Sequence, residues 1–180
     1  MPVPEAPMRE EAGGLTPAGP GWFVVNVADA LAKHHEIGGS YVPFENRDVE
    51  RFPQFGINVH VLQPGQPNAK YHSEPAQEAF LVLEGECLLI VEGQERRMKQ
   101  WDFFSCPPGT DHVMVGAGDG PCAILMVGTR LDPDTADYPP SELAAKYGAE
   151  APQPTTGPSD AYRDWPSEFK PGKLGWPTLE

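Results

Sequence analysis

Short apolar runs separated by glycine and proline turns dominate the centre of the chain. Ile57–Leu62 (INVHVL) ends at Pro64-Gly65, Phe80–Glu84 (FLVLE) turns at Gly85, and Cys87–Glu92 (CLLIVE) turns at Gly93. Glu95–Lys99 leads into WDFFS, and beyond Pro107-Pro108-Gly109 come HVMV and, after GAGDG, CAILMVG. Runs this short, bounded by turn residues, predict the strands of a sandwich or small barrel. Several are apolar at consecutive positions, which predicts cover on both faces of those strands. Before this block, Trp22–Asn26 (WFVVN) predicts a first strand. Ala28–His35 predicts a short helix, because Ala and Leu dominate it and Gly38-Gly39 follow as a stop. After it, Ser141 is placed to cap a short helix, SELAAKYG, closed by Gly148.

The pattern divides the chain into three stretches. Residues 1–20, rich in Pro, Gly and Glu, predict a flexible N-terminal arm. Residues 21–131 hold the strands. Residues 132–180 form a C-terminal extension with the short helix and a tail carrying Trp165 and Trp176. Tryptophan is a large surface to leave in water, so the tail is expected to wrap the barrel or a partner subunit.

Composition agrees with an all-β class. The 180 residues include 19 Gly and 22 Pro, spread as punctuation and not as repeats. One domain of this length can bury a core of its own. Charge narrows the partners. Thirteen Lys and Arg stand against 26 Asp and Glu, a formal net of -13, and such a field repels phosphate backbones and anionic lipid headgroups. Neither nucleic acid nor a membrane is therefore expected as a partner. No apolar stretch has the length to span a bilayer, and MPVPEAPMREEAGG lacks the apolar core of a secretory signal. Cys87, Cys106 and Cys122 contain no Cys-x-x-Cys pair, which points to a reducing, cytoplasmic setting.

Candidate chemistry concentrates in two segments. His72 and Glu74 lie two apart on an extended stretch and so project from one face, with Pro75 biasing Glu74 towards the extended region. Glu78 opens the next strand and shares a face with Phe80 and Val82. His112 begins another strand directly after the Pro107-Pro108-Gly109 turn. Two imidazoles and one or two carboxylates at strand beginnings suit one first-row divalent metal, with Fe, Mn and Zn as the candidates. Phe80 and Met114 alternate with Glu78 and His112 and are expected to line the pocket. His60 reads as a satisfied structural histidine, His34 and His35 as surface residues, and Cys106 as a buried, inert thiol.

These residues also carry a family resemblance. The chain resembles the cupins, whose first motif is G-x5-H-x-H-x3,4-E-x6-G and whose second is G-x5-P-x-G-x2-H-x3-N. His72, Glu78 and Gly85 fill the first motif, and Pro107, Gly109 and His112 the second. Glu74 stands where the second histidine would be, Trp101 replaces the first glycine of the second motif, Gly116 replaces its terminal Asn, and Gly65 lies one residue farther from His72 than the pattern asks. The resemblance implies a jelly-roll β-barrel with short peripheral helices and extended terminal segments. It also implies a metal inside the barrel, held by His72, Glu78 and His112 with Glu74 as a fourth candidate ligand, and a homodimer. The corresponding function is a metal-dependent oxygenase, dioxygenase-like, or a related lyase or isomerase, acting on a small organic molecule. A non-catalytic cupin that binds or senses a small ligand is the alternative.

Overall fold

Two antiparallel sheets face each other across an apolar interior. The computed structural model describes residues 1–46, 52–131 and 135–176, so the boundary expected at 131–132 adjoins residues outside the described set. In chain order the elements begin with a hairpin of β1 (Met8–Glu11) and β2 (Gly14–Pro17). Next come β3 (Leu31–His35), β4 (Gly39–Val42), β5 (Phe55–Leu62), β6 (Glu78–Glu84) and β7 (Glu86–Val91). They are followed by β8 (Gln94–Lys99), β9 (Phe103–Cys106), β10 (His112–Ala117) and β11 (Cys122–Thr129). Two single-turn helices, α1 (Glu142–Ala145) and α2 (Pro158–Ala161), precede a last strand, β12 (Lys170–Lys173). The larger sheet runs β12-β3-β4-β5-β11-β6-β9 and the smaller β10-β7-β8. Residues 65–72 extend the smaller sheet along β10 through the bridges Pro67–Val115 and His72–His112. This is the all-β class that the strand pattern predicts, in the jelly-roll arrangement that the cupin resemblance implies.

Burial explains the consecutive apolar positions. Cys87 and Leu89 of β7 enter the core between the sheets, with Leu62, Phe80, Val82, Met114 and Ile124. Their neighbours Leu88 and Ile90 point the other way, where Tyr71, Ala144 and Ala149 cover them with Val113 and Val115. The outer face of the larger sheet is closed by Val59, Val61 and Ala123 packed under Val25, Val27, Leu174 and Trp176. Each strand is thus apolar on both sides because each face has its own cover.

The N-terminal third departs from the expected pattern. The stretch 1–20, expected as a flexible arm, contains the β1–β2 hairpin. WFVVN is not a strand, since Trp22 makes one isolated bridge to Glu5 and the rest has no ladder. Ala28–His35 is not a helix. Asn26 Oδ1 accepts the Ala28 N–H at 2.9 Å, closing a turn, and Leu31–His35 then pairs with β4 on one side and β12 on the other. Helix propensity is worth only tenths of a kcal/mol per residue, and two flanking ladders override it. His35 is consequently buried, not on the surface.

The tail lies on its own chain. Ser141 caps α1 through its hydroxyl, which accepts the Ala144 N–H at 3.2 Å. Trp176 donates to Glu84 Oε2 at 2.7 Å, and Trp165 stacks on His35. Two departures from the cupin motifs have local causes. A Cβ at Gly116 would collide with the Gln63 carbonyl, so no asparagine fits there. Trp101 holds φ +73, the left-handed region a glycine would take, at a cost of about 1 kcal/mol.

Candidate metal centre

A reciprocal backbone pair sets up the centre. The His72 N–H donates to His112 O at 3.1 Å and the His112 N–H donates to His72 O at 2.8 Å. Residues directly opposite on antiparallel strands project to the same side. The two imidazoles accordingly stand with ring centroids 5.0 Å apart. Glu78 arrives from the other sheet, as the first residue of β6, and faces them with Phe80 behind it. One ligand atom each from His72, Glu78 and His112 lies within 4.8 Å of the others.

Hydrogen bonding orients both rings. His72 Nδ1 sits 2.7 Å from Lys70 O and His112 Nδ1 sits 3.0 Å from Thr110 O. A carbonyl only accepts, so each Nδ1 carries the proton and each Nε2 keeps its lone pair for the centre. Outer partners of this kind fix the tautomer of a metal-binding histidine. Phe80 and Phe104 pack on His112, and Tyr138 stacks on His72.

Each Nε2 faces a carboxylate, at longer range than the short contacts of Nδ1. His112 Nε2 is 3.5 Å from Glu78 Oε2, and His72 Nε2 is 3.4 Å from Glu74 Oε1. Donors bound at about 2.1 Å to one tetrahedral ion stand roughly 3.4 Å apart. Electrostatics supports the same reading. Burial, then the charge of Glu74, raises the Glu78 carboxyl to about 7. Burial, then the neighbouring His72, lowers His112 to about 4, so it is neutral and ready to ligate. Burial alone would lower His72 too, but Glu74 and Glu78 outweigh it and raise it. The His72 hydrogen bond in turn lowers Glu74 against the opposing effect of burial. The donor set fits a divalent cation, whose charge would offset two carboxylates gathered in a partly dry site.

A cavity of about 450 Å³ opens onto the centre, lined by His72, Glu74, Glu78 and Phe80. Glu74 lies on its wall but outside the mutually close trio. Met114, expected to line the pocket, does not; it is fully buried deeper in the core. Cys106 is also buried, with Sγ 3.5 Å from His112 Nδ1. Burial, helped by Glu78, pushes its thiol up to about 12, which makes it inert.

Sequence reasoning missed three residues of the far wall. Asn58 Oδ1, His60 Nδ1 and Arg130 Nε are buried and have no hydrogen-bond partner among the described residues, and all three side chains line this cavity. His60 is therefore not a satisfied structural histidine. Its ring lies against Tyr41 at 5.0 Å, and burial lowers it to about 4. Orphaned polar atoms cost free energy, so their gathering on one wall calls for a polar partner there, water or a ligand. The available signal was alternation, since Asn58 and His60 share the inward face of β5 with Leu62.

The cupin domain family matches residues 58–128, the span that contains both ligand-bearing segments. The chain carries a cupin domain. Solved structures agree with this. A sugar phosphate isomerase of the cupin superfamily from Silicibacter pomeroyi is 28% identical, with a TM-score of 0.53 over 60% of this chain and 76% of that one. A cupin-like protein from Thermotoga maritima is 20% identical with a TM-score of 0.50, over 64% of this chain and 88% of that one. A polyketide cyclase from Streptomyces resistomycificus is 18% identical with a TM-score of 0.52, over 60% and 79%. The last two share the fold alone. No curated protein matches the sequence. Among the described residues, no helix of the chain is long and apolar enough to cross a membrane.

Proposed function

We propose that this cupin is a metal-dependent enzyme of the non-haem oxygenase kind, acting on a small organic molecule rich in oxygen donors. The convergence of His72, Glu78 and His112, with His72 and Glu78 on the wall of an open cavity, carries this reading. When bound, a divalent metal would supply Lewis acidity and, as Fe(II), a centre for O₂ chemistry. The chain's own residues would do the rest. Asn58, His60 and Arg130 would hold the substrate's oxygens, Phe80 would limit water, and Glu74 would take or return a proton at the substrate.

A second reading, isomerisation or a related proton transfer, draws on the similarity to the sugar phosphate isomerase from Silicibacter pomeroyi. A phosphate group fits this cavity poorly. Arg130 is the guanidinium on its wall, and Glu45 Oε1 already pairs with it at 2.6 Å. Glu74 and Glu78 would face the added negative charge. Oxygen dependence separates the readings. Protein loaded anaerobically with Fe(II) and screened against catechol-like, keto-acid and thiol compounds should consume O₂ with at least one of them. Turnover that proceeds equally well without O₂, and with Mn(II) or Zn(II), would move the assignment to the isomerase class.

We also propose that the chain forms a homodimer. Trp101 and Phe103 are 68% and 63% exposed at β9, the open edge of the larger sheet. Such aromatics on an unpaired edge gain from cover by a second copy. Light scattering should give twice the chain mass at micromolar concentration, and a monomer across a wide concentration range would refute the dimer.

A further inference from the structure

A second chamber, of about 610 Å³, lies between the barrel and the tail. Four aromatic side chains stand in its walls, Tyr41 from β4 and Tyr162, Trp165 and Phe169 from the tail, beside polar residues that include Arg163. The matched cupin domain ends before the tail begins, so this chamber is a feature of the extension. His60, Asn68 and Tyr162 line both this chamber and the metal cavity.

The chamber is built into the fold. His35 Nδ1 accepts the Gly38 N–H at 2.8 Å, which leaves the proton on Nε2 to donate to Pro166 O at 2.6 Å. Trp165 and Phe169 rest on either side of that ring, with centroids 5.5 and 4.9 Å away. Immediately afterwards the tail is pinned again, as β12 pairs with β3 from Lys170–His34 to Lys173–Leu31. The space between these fixings is bounded by the β12–β3 ladder and the His35–Pro166 hydrogen bond. At its junction with the metal cavity sits His60, stacked on Tyr41 with its buried Nδ1 unpartnered.

We propose that the two spaces form one bipartite site for a molecule with an oxygen-donor head and an aromatic ring. The head lies at His72, Glu78 and His112, the ring lies among Tyr41, Trp165 and Phe169, and a polar linking group meets His60 Nδ1. An aromatic ring suits these walls because offset and edge-on ring contacts add to plain burial. A neutral ring also suits a chain of net charge -13 better than an anionic one. The head's position rests on the metal-site reading above, whereas the ring's position rests on the chamber alone.

Hydroxamates test this, because acetohydroxamate and 2-naphthohydroxamate share a metal-chelating head and differ in the ring. Calorimetry on metal-loaded protein should show the naphthyl compound binding about tenfold tighter or more, as burial of a ring predicts. Ser167→Trp fills the chamber from its exposed rim, and Phe169→Ala removes one wall. In both, the ratio of the two affinities should fall towards one. A ratio near one in the unmodified protein, or one that survives both substitutions, overturns the proposal. 2-Naphthamide, which lacks the chelating N–OH, probes the chamber separately. It should bind metal-free protein weakly and lose that binding in Ser167→Trp. No binding to the unmodified protein overturns the chamber. If acetohydroxamate alone fails to bind while naphthamide binds, the metal-site reading fails and the chamber stands.

Discussion

His112→Ala is expected to strip the protein of metal, lowering affinity by at least about 100-fold, since even outer partners of a ligand are worth ten- to a hundredfold. Its ring is fully buried between Phe80 and Phe104, so the same substitution also leaves a void. That void should cost about 2–3 kcal/mol of stability by itself. Glu78→Gln separates the two effects, because it keeps the side chain's shape and removes only its charge. Elemental analysis of protein purified without chelators should find both variants depleted. Melting curves should show the metal-free Glu78→Gln protein folded. In the unmodified protein, free metal at 100 times its dissociation constant should raise stability by about 2.7 kcal/mol, and Glu78→Gln should forfeit that gain. Glu74→Gln should retain metal to within about tenfold, because Glu74 stands beside the trio and not within it. Normal metal content in His112→Ala would sink the assignment. A loss in Glu74→Gln as large as in Glu78→Gln would make Glu74 a fourth ligand.

The trio stood out in the sequence because each member sits beside a turn written there, although the three meet only through pairing of distant segments. His72 and His112 each follow or precede a turn written in the sequence, and the spacing from Glu78 to Gly85 sets one strand and its reversal. The central strands β5 to β11 were legible for the same reason, as apolar runs between glycine turns. Misreadings arose where distant partners decide. Leu31–His35 becomes a strand because β12, near the other end of the chain, pairs with it. His35 is buried because Pro166 and Trp165 come to cover it. Alternation correctly turned Met114 inward, but it cannot say how deep along the barrel a residue lies, and Met114 falls one layer below the cavity. Asn58 and His60 were visible as polar residues on an inward face, yet nothing local shows that they lack partners. Arg130 had no local signal at all, since its partner Glu45 lies far earlier in the chain. The end of the barrel that carries His72, Glu78 and His112 is thus encoded in motifs, and the wall opposite it in tertiary contacts.

Lys70 is the residue on which the tail and the metal centre both depend. Its side chain is fully buried, and Nζ donates to Gly148 O at 3.1 Å, Glu150 O at 2.9 Å and Asp164 Oδ2 at 2.8 Å. The ammonium also lies 5.0 Å from the centre of the Trp165 ring. Its own carbonyl receives His72 Nδ1. Lys70→Met keeps the length of the stem and removes all three donors. Glu150 O then loses its donor in a dry site at about 1–3 kcal/mol, whereas Gly148 O loses the ammonium but keeps the Trp165 Nε1–H at 3.2 Å. Asp164 adds less, because it is about half exposed and water takes over its solvation. A total loss of about 3 kcal/mol is expected for Lys70→Met, read as a shift in denaturant midpoint at unchanged slope. Asp164→Ala should cost about 1 kcal/mol or less, because the ammonium keeps its two carbonyls. If instead the two variants lose equal stability, the ion pair is the main contact and the carbonyl clasp is not. Loosening the clasp should also reach the metal. With residues 148–165 less firmly held, the segment that carries His72 loses its outer support, and metal affinity in Lys70→Met should fall about tenfold while Asp164→Ala changes it little.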